Sequence, residues 1–126
     1  MKNIEQIVTI NAPAKDVYDV LMDSSQHSEF TGAKATIDNK VGGKFSVWDG
    51  YASGVNLELI PGKKITQTWR ASDWPAGVES KITINLFQKG EDTELEFTQT
   101  GVPDEFYQDI KDGWQDYYWK PLKDFF

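Results

Sequence analysis

The sequence predicts an α+β fold in which a curved antiparallel sheet wraps around one long C-terminal helix. Short runs that alternate apolar and polar residues fill the middle of the chain, and turn signals separate these runs at regular intervals. A stretch with helical periodicity follows them. Alternation at period two is typical of strands with one buried face, and short turns join antiparallel neighbours. An amphipathic helix is a common cover for the apolar face of such a sheet.

The first part of the chain is expected to hold a strand and two short helices. The run IEQIVTI, near residues 3–10, alternates as a strand does. The stretch NAPAKDVYDVLMD then places Asn11 at an expected N-cap and Pro13 in the first turn, where a missing N–H costs little. Apolar residues recur at helical spacing after it, and a second, shorter helix is expected around residues 25–30.

The middle of the chain is expected to form an antiparallel meander. Its alternating runs are GKFSVW, GVNLELI, KITQTW, SKITINLFQ and TELEFTQT. The Asp-Gly pair at 49–50 suits a tight hairpin because both residues tolerate positive φ. Gln67 and Gln99 fall at inward positions, where they would orient a ligand, bond each other, or point outward past a bulge. The apolar side chains expected to face inward are Phe45, Val47, Val55, Leu57, Leu59, Ile65, Trp69, Ile82, Ile84, Leu86, Leu95 and Phe97.

The C-terminal helix is expected to begin after Pro103 and to bury an aromatic face. Asp104 and Glu105 fall in its first turn, where acidic side chains complement the helix dipole. Pro121 would lose a hydrogen bond and clash with the preceding turn, at a cost of about 3 kcal/mol or more. This predicts a kink or break near residues 117–121. One face at period 3.6 combines Phe106, Ile110, Trp114, Tyr117 and Pro121.

Composition excludes several classes of protein. The 126 residues fit a single domain, residues 1–126, because domains typically have about 100–200 residues. The chain has no cysteine, which excludes disulfides and thiol catalysis. Its net charge of −7 carries no basic stripe, so nucleic acid is not an expected partner. Apolar runs fall far short of the about 20 residues of a membrane span. The polar N-terminus also lacks a signal-peptide core; we therefore expect a cytoplasmic protein without membrane contact.

The motifs in the sequence indicate no catalytic residue, metal site or cofactor. His27 is the single histidine, and we expect it on the surface of a short helix or loop. It has no nucleophile motif beside it, and a zinc site usually needs several protein ligands. Gly42, Gly43 and Lys44 lack the first glycine of a phosphate-binding loop. The carboxylates fall on turns or on the polar phase of strands, whereas a general acid or base needs burial to shift its pKa.

Four motifs resemble the activators of heat-shock protein 90 (Hsp90) ATPase. They are FTGAKATIDNKVGGKFSVWDGYASG (30–54), LIPGKKITQTWR (59–70), SDWPAGVESKITINLF (72–87) and GWQDYYWKPLKDFF (113–126), and together they cover most of the chain. The order of elements also resembles the helix-grip fold of the START and Bet v 1-like superfamily. In the eukaryotic co-chaperone the similar stretch is the second, C-terminal domain, and a separate N-terminal domain grips the chaperone. The resemblance implies a non-enzymatic protein that binds Hsp90.

Two kinds of site are expected and remain alternatives at this point. One follows from aromatic residues in loops, which are frequent interaction anchors when exposed, and the other from the superfamily resemblance. A partner surface is expected at Trp48, Tyr51 and Trp74 if their rings are exposed, although Trp74 would equally fold back over a sheet edge. The superfamily often keeps a cavity for a small apolar ligand between the last helix and the sheet, and core packing is the other role of the same residues. Cyclase or hydrolase activity is a third alternative that rests on superfamily analogy. The cavity residues are expected to be Phe45, Val47, Gln67, Trp69, Ile84, Phe97, Gln99, Phe106, Ile110, Trp114 and Tyr117.

Overall fold

Seven strands form a curved antiparallel sheet in the computed structural model, which describes Met1–Phe126. The strands are β1 (Lys2–Ile10), β2 (Thr36–Ile37), β3 (Lys44–Val47), β4 (Ala52–Ile60), β5 (Lys64–Ala71), β6 (Ser80–Lys89) and β7 (Asp92–Val102). Their spatial order is β1-β7-β6-β5-β4-β3-β2. The predicted meander is therefore confirmed, and the first strand joins it by pairing with the last.

Helices α1 (Ala14–Met22) and α2 (Ser24–Thr31) lie between β1 and β2 in the chain. The predicted cap by Asn11 is wrong, because Pro13 occupies the N-cap position of α1 and no side chain of the cap accepts a hydrogen bond. A side chain from the sheet supplies the missing acceptor instead. The Oε1 atom of Gln88 accepts from the backbone N–H of Ala14 at 2.7 Å. This contact satisfies one of the free N–H groups at the helix start and ties α1 to β6.

The predicted alternation holds in β3, β5, β6 and β7 but fails in β4. A register irregularity between Asn56 and Glu58 acts as a β-bulge, and a bulge changes which residues face the core. Asn56 is turned inward and only 1% exposed, whereas Leu57 is 46% exposed. The predicted shared face of Val55, Leu57 and Leu59 is therefore wrong for Leu57, whereas Val55 is half-buried and Leu59 is half-buried against the core.

The C-terminal helical segment, residues 104–125, is not one regular α-helix. It consists of a 3₁₀ turn (Asp104–Phe106), α3 (Tyr107–Trp114), a π-helical turn (Gln115–Trp119) and α4 (Lys120–Phe125). At the end of the π turn, the N–H of Lys120 donates to the carbonyl of Gln115, five residues earlier. The interruption thus lies just before Pro121, where the sequence predicts a kink or break, and it takes the form of a widened turn.

The π turn decides which aromatic side chains reach the core. A regular α-helix would bury Tyr117, three residues after Trp114. In the structure Tyr117 is 58% exposed, whereas Tyr118 and Trp119 are 7% and 1% exposed. The predicted helix face is therefore correct for Ile110 and Trp114, which are buried, and wrong for Tyr117.

The core lies between the sheet and the helices and is rich in aromatic rings. The Phe97 ring centroid lies 4.4 Å from Trp114 and 5.3 Å from Trp119. Trp114 and Trp119 stack on each other at 5.4 Å. None of the helices combines the length and the apolar character needed to cross a membrane.

Candidate functional site

The space between the C-terminal helical segment and the sheet is nearly filled. A cavity of about 30 Å³ remains there, enough for about one or two water molecules. Sites for drug-sized ligands are about 300–1,000 Å³. The structure therefore favours core packing over ligand binding for the side chains around this cavity. Six of the predicted cavity residues line it, namely Phe45, Val47, Gln67, Trp69, Ile84 and Trp114.

Gln99 has protein partners at both ends of its buried amide. The indole N–H of Trp114 donates to Gln99 Oε1 at 2.8 Å. Gln99 Nε2 donates to the Ser80 hydroxyl at 2.9 Å, and that hydroxyl donates to the carbonyl of Trp69 at 2.7 Å. These bonds hold the orientation of Trp114 and leave Gln99 committed to the core.

Gln67 is bound to Asn56, the residue that the bulge in β4 turns inward. Gln67 Nε2 donates to Asn56 Oδ1 at 2.8 Å. Asn56 Nδ2 in turn donates to the carbonyls of Asp38 at 2.7 Å and Lys40 at 3.0 Å. Asn56 therefore anchors the loop between β2 and β3, and Gln67 holds Asn56 in place and does not bond Gln99. The alternation pattern placed Asn56 outward, so the sequence carried no signal for this role.

His27 is buried, at 5% exposed, so the prediction of a surface histidine is wrong. Its Nδ1 lies 3.0 Å from the carbonyl of Leu21, which only accepts, so Nδ1 carries the proton. Nε2 then accepts from the Tyr118 hydroxyl at 3.2 Å. Burial lowers the pKa of His27. Burial also raises the pKa of Tyr118, and Trp48 beside it offsets only part of that rise. Both side chains are therefore neutral at pH 7.

A larger depression lies just outside the core, between the C-terminal helical segment and the loop that joins β3 to β4. Its volume is about 390 Å³, which falls in the about 300–1,000 Å³ range of ligand sites. Ala52, Asp109, Ile110 and Gly113 contribute to its lining. We call this depression the aromatic groove, because the remaining lining residues are Trp48, Tyr51, Trp69, Trp114, Tyr117 and Tyr118.

The loop between β3 and β4 holds one wall of the aromatic groove in an uncommon backbone conformation. Trp48 and Asp49 both have φ of 56°, which is rare for a bulky residue. Two hydrogen bonds with Lys34 hold Asp49, one through its N–H at 3.1 Å and one through its carboxylate at 3.0 Å. The N–H of Tyr51 donates to the Trp48 carbonyl at 3.0 Å. Strained backbone of this kind is concentrated at functional sites.

The groove gathers two of the three predicted partner-surface residues. Trp48 is half-buried and Tyr51 is 42% exposed, and Tyr117 joins them on the rim. Trp74 does not, because it is 3% exposed and packs against Trp69 with ring centroids 5.5 Å apart. An exposed Trp74 is therefore excluded, and the alternative of a ring folded back over the sheet is the one observed.

The other predicted cavity residues have separate locations. Phe97 is buried against Trp114 and lines neither the cavity nor the groove. Phe106 is half-buried and packs near Trp74, with ring centroids 6.3 Å apart. Ile110 lines the aromatic groove. The predicted set thus divides between a packed core and an open groove.

The charges near the aromatic groove are negative. Asp109 is its one charged lining residue. Burial raises the pKa of Tyr51, and the carboxylates of Asp73 and Asp109 raise it further.

None of the 41 buried residues is Asp or Glu. The chain also holds no group of three or more His, Asp and Glu side chains placed to bind a metal ion.

Comparisons with known proteins point to one family. A family model described as "Activator of Hsp90 ATPase homolog 1-like protein" matches residues 11–126. The chain is 42% identical over 101 residues to the activator of 90 kDa heat shock protein ATPase homolog of Dictyostelium discoideum, covering 79% of this chain and 26% of that protein. It is 35% identical over 112 residues to homolog 1 of Homo sapiens, covering 89% of this chain and 33% of that protein. The chain spans about a quarter to a third of the length of these relatives.

A solved structure confirms the fold. The crystal structure of an HSP90 activator from Plasmodium falciparum matches with a TM-score of 0.92 and covers 99% of this chain and 96% of that one. The sequence identity is 23%, so the likeness concerns the fold. The α+β helix-grip arrangement predicted from the sequence is thereby confirmed.

Proposed function

This chain belongs to the family of activator of Hsp90 ATPase homolog 1-like proteins, and from that premise we propose that it is a non-enzymatic, co-chaperone-like protein that binds Hsp90. The observation that supports the proposal most directly is the aromatic groove, where Tyr51 and Tyr117 are exposed beside Trp48. Tyrosine and tryptophan around a concave centre are typical of the residues that carry binding energy in protein interfaces. A cytoplasmic location accords with this proposal.

The contact with the chaperone lies at the aromatic groove in this proposal. Its exposed rings rest on buried ones, since the Tyr51 ring centroid lies 6.4 Å from Trp69 and that of Trp48 lies 6.4 Å from Tyr118. Because the neighbouring rings already hold these side chains in place, a partner that binds here has few mobile side chains to immobilise. Binding therefore costs less conformational entropy than on a surface of flexible side chains.

The proposal is tested by titrating the purified chain into Hsp90 from the same organism. ATP hydrolysis and calorimetric binding are followed together. We expect saturable binding with a rise in the hydrolysis rate. Binding without a change in rate supports a binding unit that needs further parts of the longer relatives to activate the chaperone. Absence of binding contradicts the proposal.

A matched pair of variants locates the contact. Tyr117 is 58% exposed in the groove, and Phe87 is 44% exposed on β6 outside it. We expect Tyr117→Ala to weaken Hsp90 binding by about fivefold or more, as for an interface residue whose truncation costs more than about 1 kcal/mol, and Phe87→Ala to leave it unchanged. Equal effects of both substitutions would place the contact elsewhere on the chain.

Binding of a small apolar molecule is the second candidate function, and the groove volume of about 390 Å³ favours it. The lining is mostly apolar with a few polar groups, as in typical ligand sites. Native mass spectrometry of the freshly purified chain tests this directly. A bound molecule whose occupancy falls in Tyr117→Ala and persists in Phe87→Ala would support ligand binding in the groove.

A further inference from the structure

Rings in the wall of the aromatic groove pack edge to face, so their planes are steeply inclined to one another. The ring planes of Trp48 and Tyr117 meet at 64° with centroids 5.4 Å apart. Those of Trp48 and Tyr118 meet at 61° with centroids 6.4 Å apart. The face of an aromatic ring attracts a cation placed within about 6 Å of its centroid. Tyr51 and Tyr117 keep exposed ring surface in the groove, and such a surface suits an organic cation.

A carboxylate without an ion-pair partner in the chain lines the same groove. Asp109 lines the groove and takes part in none of the ion pairs of the chain. No lysine or arginine lines the groove. The surrounding segment, residues 104–125, carries six acidic side chains and three lysines. The groove thus has an excess of negative charge that no neighbouring basic side chain within it neutralises.

We propose that the aromatic groove receives a basic side chain, an arginine or a lysine, from a segment of the partner protein. Its aliphatic stem and cationic head lie against Trp48 and Tyr117, and the head reaches the Asp109 carboxylate. A guanidinium group suits both contacts, because its plane stacks on rings and its N–H groups pair with carboxylates. The inference rests on the proposed function, since the side chain belongs to the protein bound at this groove.

The charge of the chain argues against a second copy as the occupant. The net charge is −7, and two copies that brought their acidic C-terminal segments together would repel each other. A neutral apolar molecule would gain nothing from Asp109. A basic segment of another protein complements both the rings and the carboxylate.

The experiment uses the full chain and a short peptide in place of the partner. We titrate N-acetyl-Ala-Arg-Ala-amide and follow backbone and indole N–H signals by NMR. The matched probe has citrulline, an uncharged isostere, in place of arginine. We expect saturable shifts at the groove, with the citrulline peptide bound at least about threefold more weakly. Added salt is expected to weaken only the arginine peptide.

Two pairs of variants separate the carboxylate from the rings. Asp109→Asn is expected to weaken the arginine peptide about three- to fivefold, as for an exposed ion pair, without affecting the citrulline peptide. Asp124→Asn makes the same charge change at the far end of the helical segment and is expected to have no effect. Tyr117→Ala is expected to weaken the arginine peptide about two- to fivefold, whereas Tyr117→Phe keeps the ring and retains binding. All these side chains are exposed, and circular dichroism verifies folding.

Each alternative occupant gives a different result. Equal affinity for the arginine and citrulline peptides overturns the inference in favour of an apolar ligand. Choline binding at least as tightly as the arginine peptide overturns it in favour of a small-molecule cation. A concentration-dependent dimer in sedimentation, with the same groove signals shifted, overturns it in favour of a second copy.

The proposed function and this inference fail in distinguishable ways, because the peptide titration contains no Hsp90. Arginine-specific binding together with no binding to Hsp90 refutes the chaperone as the partner. If Hsp90 binding is unchanged in Asp109→Asn and the chain does not prefer the arginine peptide, only the inference of a basic side chain in the groove is refuted.

Discussion

The packed core and the aromatic groove use the same kinds of residue on the same helical segment, yet their free volumes are about 30 and about 390 Å³. In the core, the indoles of Trp114 and Trp119 donate to the amide oxygens of Gln99 and Gln6. In the groove, the Tyr117 side chain is mostly exposed and the Asp109 carboxylate forms no ion pair in the chain. Aromatic content alone therefore does not distinguish a core from a binding surface.

The difference between the two regions arises at the π turn. Tyr117 and Tyr118 are consecutive residues, and one lines only the groove whereas the other lies 7% exposed against His27. The wider turn brings Tyr118 and Trp119 inward together and releases Tyr117 outward. A local change of helix type thus converts one continuous aromatic face into a core and a surface site.

The largest effect is expected for Trp119→Ala, a substitution confined to the core. Trp119 is 1% exposed, stacks on Trp114, and donates to Gln6 Oε1 at 2.6 Å. Loss of a buried tryptophan typically costs about 3–5 kcal/mol of unfolding free energy. Urea denaturation measures this loss of unfolding free energy. The unfolding free energy of Tyr117→Ala is expected to stay within about 0.5 kcal/mol of that of the natural chain. A comparable loss in Tyr117→Ala would mean that Tyr117 also packs in the core.

Trp114→Phe is expected to have the next largest effect, at a residue that lines both regions. The substitution keeps an aromatic ring and removes the N–H that donates to Gln99 Oε1. An unpaired buried acceptor costs about 1–3 kcal/mol, measured by urea denaturation. Peptide binding at the groove is also expected to weaken, because the smaller ring removes part of the groove wall that Trp114 forms. Unchanged stability with altered binding would assign Trp114 to the groove instead.

Removing single hydroxyl groups compares the two consecutive tyrosines directly. Tyr118→Phe leaves His27 Nε2 without its donor, and we expect a loss of about 1–2 kcal/mol in unfolding free energy. Tyr117→Phe changes an exposed side chain and is expected to stay within about 0.5 kcal/mol. Chemical denaturation of the two variants in parallel measures both changes in unfolding free energy. Equal losses would contradict the division between core and groove.

The smallest effect is expected from pH, which changes the unfolding free energy through protonation of His27 in the core. Burial lowers its folded-state pKa below the usual 6.5, so the unfolded chain binds the proton more readily than the folded one. Stability is complete above pH 6.5 and declines as the pH falls below that value. Between pH 7.5 and 6.0 the decline from this residue stays below about 1 kcal/mol.

Urea midpoints at several pH values, compared between the natural chain and His27→Gln, isolate this contribution. We expect the decline to be shallower in the variant, because its side chain does not titrate. The same slope in both proteins would mean that His27 titrates normally in the folded state. Arginine-peptide binding at the groove is expected to keep the same pH dependence in both.

Local patterns in the sequence were sufficient for the order of the elements, the antiparallel meander and the family. Alternation in SKITINLFQ and TELEFTQT correctly placed Ile82, Ile84, Leu95 and Phe97 in the core. The Asp-Gly pair correctly located the hairpin between β3 and β4. These features depend on the periods of regular strands and helices, which are properties of short stretches of chain. The same patterns identified the aromatic residues of the site without separating core from surface.

That separation was decided by long-range packing. The β-bulge at Asn56 and the π turn before Pro121 each shift the register by about one residue, and such a shift exchanges the buried and exposed faces. The bulge is accompanied by hydrogen bonds from Asn56 to distant carbonyls, and the π turn by burial of Trp119 against Phe97. Partners this far apart in the chain leave no periodic signal in it. For this reason the inward positions of His27, Asn56 and Tyr118, and the outward one of Tyr117, emerge only when the sheet and the helices are packed together.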